Sequence, residues 1–169
     1  MKVFRKIIDS IFWIIAIVLV VLLLLLGGVR LFGYVPYIIT SGSMDPVYPV
    51  GSVVYTEKVE FEQLEVGDDI SFYIDESTVA THRIREIIQD EEKVQTYGVN
   101  NIDADGNQIN DAQAVDFDHI VGRVRFSLPM VGYVYRVIGT SSGKAGVMIV
   151  ILALFTISRI LQYLEEKRS

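Results

Sequence analysis

The sequence of 169 residues contains no cysteine and only two histidines, His82 and His119. The absence of cysteine excludes disulfide bonds, thiolate catalysis and cysteine-ligated metal sites. Histidine is the usual general base near neutral pH. Any chemistry in this chain that depends on an imidazole base must therefore use one of these two side chains.

Basic residues are scarce in the middle of the chain. Residues 40–140 hold 18 Asp and Glu against 7 Lys and Arg, a net charge of −11. The remaining residues hold 3 acidic and 8 basic side chains, a net charge of +5, which brings the whole chain to −6. The acidic middle argues against nucleic-acid binding and against docking of this region on anionic lipid.

Long apolar runs lie at the two ends of the chain. Ile11–Val29, "IFWIIAIVLVVLLLLLGGV", has 19 residues and no charge, which is about the length that crosses a bilayer. A cleavable signal peptide is the alternative, although its apolar region would be shorter, about 7–15 residues. The second run, Ala145–Ser158, has 14 residues and reaches 20 only by continuing past Arg159 to Leu164. An amphipathic helix on the membrane surface is the alternative there.

Most lysines and arginines outside the acidic middle flank the outer ends of the two runs, as in Lys2, Arg5 and Lys167. The positive-inside rule then predicts cytoplasmic termini, an extracytoplasmic middle and a two-pass protein of the cell membrane. The predicted organisation is a cytoplasmic N-terminus (1–10), a transmembrane helix (11–32), an extracytoplasmic domain (33–143), a second transmembrane helix (144–164) and a cytoplasmic tail (165–169).

Between the apolar runs, segments rich in β-branched and aromatic residues alternate with turn residues and predict an all-β domain. On one of them, alternation places Ala80, His82, Ile84 and Glu86 on the same face. The predicted strands lie within residues 51–59, 68–74, 79–88, 93–99 and 119–128.

Residues 100–118 are dense in Asn, Asp and Gly and predict a long loop. Its stretch "DADGNQIND", Asp103–Asp111, superficially resembles a calcium loop. An EF-hand requires flanking helices and a glutamate at the twelfth position, where Ala114 stands here. The loop is better regarded as a source of a catalytic acid.

A short hydroxyl-rich stretch, "TSGSMDP" at Thr40–Pro46, follows soon after the first apolar run. Its residue types are those of an ordinary surface turn. They also supply the hydroxyl that nucleophilic catalysis requires, together with a base and a group that orients the base. The order Ser43, His82, Asp103 or Asp105 is compatible with such a triad, but triads occur in several orders and the order alone decides nothing.

Four blocks in this order resemble type I signal peptidases, most closely the endoplasmic-reticulum and archaeal branch that also occurs in Gram-positive bacteria and uses histidine as the base. The blocks are "SGSMDP", "THRI", "GVNNIDAD" and "VGRVRFSLPMVGYV", which cover roughly residues 40–138. The resemblance implies a mainly β catalytic domain with a signal-peptidase-like fold, held outside the membrane between two transmembrane helices. It implies a serine endopeptidase that removes signal peptides after small residues and needs no cofactor or metal.

The resemblance also implies roles for individual residues. Ser43 matches the nucleophile and His82 the general base, while the Ser41 hydroxyl and the Ser43 N–H match the oxyanion hole. Val99 replaces the first aspartate of the family's third block, so Asp105 is the expected orienting carboxylate, with Asp103 as its substitute. Gly42, Met44 and Pro46 match the positions that shape the nucleophile loop.

The expected partners are the signal peptides of preproteins and the lipid bilayer, with the secretion machinery as a further candidate and no nucleic acid. A different class of function remains open at this stage, namely a catalytically inactive relative that acts in pilin assembly or as a chaperone-like membrane factor. Such a relative would keep the β domain and lose the serine or the base.

Overall fold

A computed structural model describes residues 2–167, which form two compact units. One unit contains the helices at the two ends of the chain, and the other is Val29–Val134. The helices are α1 (Lys2–Leu26), α2 (Val131–Gly139) and α3 (Ser141–Glu166). The strands are β1 (Tyr34–Ile38), β2 (Val53–Glu57), β3 (Asp69–Tyr73), β4 (Val79–Ile88), β5 (Lys93–Tyr97), β6 (Val115–Asp116) and β7 (Ile120–Leu128).

The seven strands form one antiparallel sheet in the order β1-β2-β7-β3-β4-β5-β6. The prediction of a mainly β domain is therefore confirmed, and each of the five predicted strands is present. The sheet also has β1 and the two-residue β6, which were not predicted as strands. Pro36 lies in β1, and an edge strand tolerates a proline because one side of its backbone has no ladder to complete.

The main hydrophobic cluster lies against the faces of β3, β4 and β5 and includes Ile70, Phe72, Ile84 and Val94. A bulge between Ile84 and Glu86 shifts the register of β4 against β5. Because a bulge inserts one residue, the alternation reverses beyond it, and Ile87 packs against the cluster where Glu86 was predicted. Before the bulge, Ala80 and Ile84 lie against the cluster as predicted.

The helical unit contains the two apolar runs. Among residues 2–167, one helical segment, Ser141–Leu164, is long and apolar enough to cross a membrane by length and composition. It contains the second apolar run, which reaches the length of a span only by continuing past Arg159. The other predicted span, 11–32, begins within α1 and extends past its end at Leu26 into a 3-10 helix, Gly28–Phe32. That two helices cross the membrane remains a prediction.

The core cluster gives a direct test of the fold. Ile84 is 1% exposed, and Ile84→Ala leaves a cavity that we expect to lower the free energy of unfolding by about 3 kcal/mol. Ile102→Ala is the matched control, because Ile102 is 53% exposed and its truncation should change the free energy by less than about 0.5 kcal/mol. Urea unfolding of the full chain in detergent, followed by tyrosine near-UV circular dichroism, measures both. Equal effects of the two substitutions would contradict this packing.

Candidate active site

Ser43 and His82 meet across the sheet, although 39 positions separate them in the sequence. Ser43 lies in the loop between β1 and β2, and His82 lies on β4 opposite Ile70 of β3. The Ser43 Oγ atom is 3.1 Å from His82 Nε2. The His82 side chain is 13% exposed, so its ring is largely shielded while one nitrogen reaches the nucleophile loop.

The other ring nitrogen of His82 contacts Asp111. His82 Nδ1 is 2.6 Å from Asp111 Oδ2, and the same oxygen accepts a 2.6 Å hydrogen bond from the Thr96 hydroxyl. A carboxylate can only accept hydrogen bonds, so Nδ1 carries the proton and donates it. Nε2 is then the acceptor that faces the Ser43 hydroxyl. This is the tautomer that a base requires in order to take a proton from serine.

The carboxylate at His82 is thus that of Asp111, and the expectation of Asp105 or Asp103 in this place is corrected. Asp103 instead accepts hydrogen bonds from the backbone N–H groups of Asp105 and Asn107, within a turn of its own loop. These bonds lower the pKa of the Asp103 carboxyl, that from Asn107 contributing most. Asp105 is exposed in the same turn. The loop therefore carries the chain past both residues before Asp111 reaches the histidine.

Asp111 is held on several sides. Its backbone N–H donates to the Thr96 carbonyl at 2.8 Å, and its own carbonyl accepts from the Gln95 side chain at 2.8 Å. Burial raises the pKa of the Asp111 carboxyl, but the hydrogen bonds from His82 and Thr96 and the charge of His82 outweigh it, so the pKa lies below its usual value. Thr96 is fully buried on β5. No sequence motif marked Thr96, and its only signal is its position on a strand adjacent to that of His82.

The predicted oxyanion residue Ser41 lies beside the nucleophile, with the two hydroxyl oxygens 3.2 Å apart. The predicted loop-shaping residues occupy different environments. Met44 is 1% exposed and anchors the loop in the interior, whereas Pro46 is exposed and follows a cis peptide bond. A Cβ atom on Gly42 would lie 3.2 Å from the Asp45 carboxylate, so the turn leaves little room for a side chain there.

The segment that follows β5 forms hydrogen bonds with the loop that contains Ser43 and holds it in place. The backbone N–H of Asn100 donates to the Ser43 carbonyl at 2.7 Å, and its side-chain amide donates to the Gly42 carbonyl at 3.0 Å. Gly98 allows this close approach, because a Cβ atom there would lie 2.9 Å from the Ser43 carbonyl oxygen. The "GVNN" stretch was singled out for its missing aspartate, but its glycine and asparagine fix the position of Ser43.

A second connection lies on the opposite face of β4. Tyr48, from the nucleophile loop, donates to Asp69 at 2.8 Å, and Arg83 donates to both oxygens of the same carboxylate. Burial and the neighbouring Asp69 raise the pKa of Tyr48, so its hydroxyl remains a donor. Arg83 directly follows His82, so this network connects the loop that contains Ser43 to the strand that contains His82.

The contact between His82 and Asp111 predicts a defined tautomer that nuclear magnetic resonance can detect. Long-range ¹H–¹⁵N spectra of the full chain in detergent should show the neutral ring of His82 protonated at Nδ1 and not at Nε2. Asp111→Asn should convert it to a mixture of tautomers, because an amide no longer requires a donor at Nδ1. Asp105→Asn is the matched control and should leave the spectrum unchanged. His119→Gln assigns the signals, since the chain has only two histidines. The opposite pattern for the two aspartates would overturn the geometry.

Comparison with known proteins shows the family to which the chain belongs. A family model described as signal peptidase, peptidase S26, matches residues 10–143, which is most of the chain. Signal peptidase I W of Bacillus subtilis (strain 168) is 32% identical over 117 residues, which are 63% of this chain and 62% of that protein. The chain thus matches slightly less than two thirds of the length of this relative. On the extent of the family match, the chain belongs to the signal peptidase family, peptidase S26.

Proposed function

We propose that this protein is a membrane-bound serine endopeptidase that removes signal peptides from exported preproteins, with Ser43 as nucleophile, His82 as general base and Asp111 as the carboxylate that orients the base. The observation that carries the proposal is the hydrogen-bonded series Ser43–His82–Asp111, with distances of 3.1 and 2.6 Å. Membership of the signal peptidase family supports the same reaction. The alternative is an inactive relative that acts in pilin assembly or as a chaperone-like membrane factor. Such a protein would not require Ser43, His82 and Asp111 to lie within hydrogen-bonding distance of one another.

The reaction follows from the positions of the groups. Ser43 Oγ attacks the carbonyl carbon of the scissile peptide bond while its proton passes to His82 Nε2. The negative charge that develops on the carbonyl oxygen is stabilised by the Ser43 N–H and the Ser41 hydroxyl. When the intermediate collapses, the C–N bond breaks and His82 gives its proton to the leaving amine. A water molecule, deprotonated by His82, then hydrolyses the ester on Ser43, which releases the signal peptide and restores the enzyme.

Two open backbone edges support binding of an extended substrate. Val79–His82 pair with β3 on one side only, because pairing with β5 begins at Arg83. β1 is one of the two edge strands of the sheet, and its end at Ile38 continues through Ile39 and Thr40 towards Ser43. Both segments line one cavity of about 350 Å³ that also contains Ser43. An extended peptide placed there could pair with the free backbone groups of both edges, a common form of peptide recognition.

Cleavage of a synthetic preprotein by the purified full chain tests the proposal. Ser43→Ala and His82→Ala should abolish cleavage, and Asp111→Ala should lower the rate by several powers of ten, by analogy with other triads. His119→Ala and Asp105→Ala are the matched controls and should retain most of the rate, because His119 is exposed and neither residue contacts the array. Thermal melting checks that each variant is folded. Cleavage that survives Ser43→Ala would refute the mechanism, and an inactive Asp105→Ala beside an active Asp111→Ala would return the orienting role to Asp105.

We propose further that the chain crosses the membrane twice, with both termini in the cytoplasm and the β domain outside. α3 has the length and composition of a membrane span. Within the helical unit, the Ser158 hydroxyl donates to Asp9 Oδ1 at 2.5 Å, so the start of α1 meets the end of α3. Helices in this antiparallel arrangement bring both termini to the same side. The basic residues beside these two positions, such as Lys6 and Arg159, favour the cytoplasmic side.

Cysteine labelling can decide the topology without background, because the chain has no cysteine of its own. With a membrane-impermeant maleimide, Ser77→Cys should react in intact cells, since Ser77 lies exposed in the β domain. Lys6→Cys and Lys167→Cys should react only after the membrane is opened. Labelling of the two terminal positions from opposite sides would show a single crossing and would contradict the proposal.

A further inference from the structure

Thr96 places a hydroxyl group in the hydrophobic interior of the sheet. It is 0% exposed on β5, and Val94, two positions earlier on the same face, belongs to the core cluster. Ile84 of β4 lies opposite Thr96 in the register and belongs to the same cluster. Valine has nearly the same shape and would fill this position without a polar group. Because burial of a hydroxyl costs free energy unless it forms a hydrogen bond, the bond that Thr96 makes offsets this cost.

Thr96 holds Asp111 at two points. The Thr96 carbonyl accepts from the backbone N–H of Asp111 at 2.8 Å, and the Thr96 hydroxyl donates to the Asp111 carboxylate at 2.6 Å. The first bond fixes the backbone of Asp111, and the second fixes the rotation of its side chain. A distance of 2.6 Å is typical of a hydroxyl that donates to an ionised carboxylate, and such bonds are roughly twice as strong as those between neutral groups.

The oxygen that accepts from Thr96 is also the oxygen that contacts His82. Asp111 Oδ2 lies 2.6 Å from the Thr96 hydroxyl and 2.6 Å from His82 Nδ1. Because both donors meet at one oxygen, a rotation of the carboxylate away from Thr96 also moves this oxygen away from His82. The Thr96 hydroxyl therefore constrains the contact that orients the base.

We propose that Thr96 is a positioning residue of the peptidase, whose hydroxyl holds the Asp111 carboxylate in the rotation that orients His82 and is required for the full catalytic rate. The proposal rests on the peptidase function proposed above. Thr96 is buried and is not among the residues that line the cavity of Ser43. It would thus act through Asp111 and not by contact with the substrate, so its loss should lower kcat and leave KM nearly unchanged.

Thr96→Val tests this role, because it removes the hydroxyl and keeps the branched shape of the side chain. With the full chain in detergent and one synthetic preprotein, we expect kcat to fall about tenfold, the factor that corresponds to one hydrogen bond to a charged group. Thr96→Ser keeps the hydroxyl and should retain most of the rate. Thr56→Val is the matched control, because Thr56 is 1% exposed on β2 and donates to the Val35 carbonyl, which has no catalytic role. Its kcat should equal that of the wild type.

A titration of the Asp111 carboxyl carbon by ¹³C nuclear magnetic resonance gives a second measurement that does not depend on cleavage. Burial raises the pKa of the Asp111 carboxyl, and the hydrogen bonds from His82 and Thr96 lower it. Thr96→Val removes one of these bonds, so the carboxyl should take up its proton at a higher pH than in the wild type. Thr56→Val should leave this pKa unchanged, and Asp111→Asn assigns the signal. The titratable side chains that share a cavity with Asp111 remain in both threonine variants; they are Tyr73, His82, Asp116 and His119.

An unchanged kcat or an unchanged carboxyl pKa in Thr96→Val would overturn the proposal. A Thr96→Ser variant as slow as Thr96→Val would also overturn it, because the methyl group and not the hydroxyl would then be the part that matters. If thermal melting shows that Thr96→Val is unfolded, Thr96→Ala repeats both measurements. If the wild-type chain does not cleave the preprotein, the peptidase function itself fails, whereas the carboxyl titration still decides whether Thr96 holds Asp111.

Discussion

The 2.6 Å contact between Asp111 and His82 is the constraint on which the site depends. It fixes the proton on Nδ1 and leaves Nε2 free to accept from Ser43, which a histidine without an oriented partner does not guarantee. The contact also requires several parts of the fold at once. β4 supplies the imidazole, the long loop after β5 supplies the carboxylate, and Thr96 on β5 holds that carboxylate through its hydroxyl. Because hydrogen bonds to partly buried charges are stronger than those in water, this series gives the His82 ring a single orientation.

Ser43 is held as firmly as His82, by two separate sets of contacts. Asn100 bonds the carbonyl groups of Gly42 and Ser43, and the segment approaches so closely that residue 98 can only be glycine without displacement of the loop. On the other face, Tyr48 and Arg83 meet at Asp69. Side chains alternate along β4, so His82 points to one face of the sheet and Arg83 points to the other. For this reason β4 contributes His82 to the catalytic series and Arg83 to the contacts at Asp69. A single strand thus positions His82 directly, and it positions the loop of Ser43 through Arg83, the neighbour of His82.

Features that depend on a local sequence pattern, such as strands, were predictable from the sequence. The identity of the carboxylate at His82 was not, because it depends on the path of a long loop. Strands with β-branched residues were predictable, and so was the pairing of Ser43 with His82 through the resemblance of their motifs. β1 was not recognised because its five residues include Pro36 and adjoin an apolar run. Asp111 was missed because position in a motif pointed to Asp105. The turn at Asp103, closed by bonds to the backbone of Asp105 and Asn107, removes both carboxylates from the histidine, and no periodicity reveals such a turn.

The open edges of the sheet are the feature of the fold that suits the proposed binding of an extended peptide substrate. Unpaired strand edges are a hazard, because they offer backbone groups to any extended chain. Here the edge strand β1 contains Pro36, which has no N–H to offer, and β5 covers β4 from Arg83 onwards. Two segments with an unpaired side, residues 37–40 and 79–82, line the cavity of Ser43. Backbone hydrogen bonds at these edges do not distinguish one side chain of the peptide from another. Selectivity for a cut site must therefore come from the space that the protein leaves for each side chain. Met44, Ala80, Thr81 and His82 all line that cavity, so a peptide paired with the two edges would meet these side chains beside Ser43.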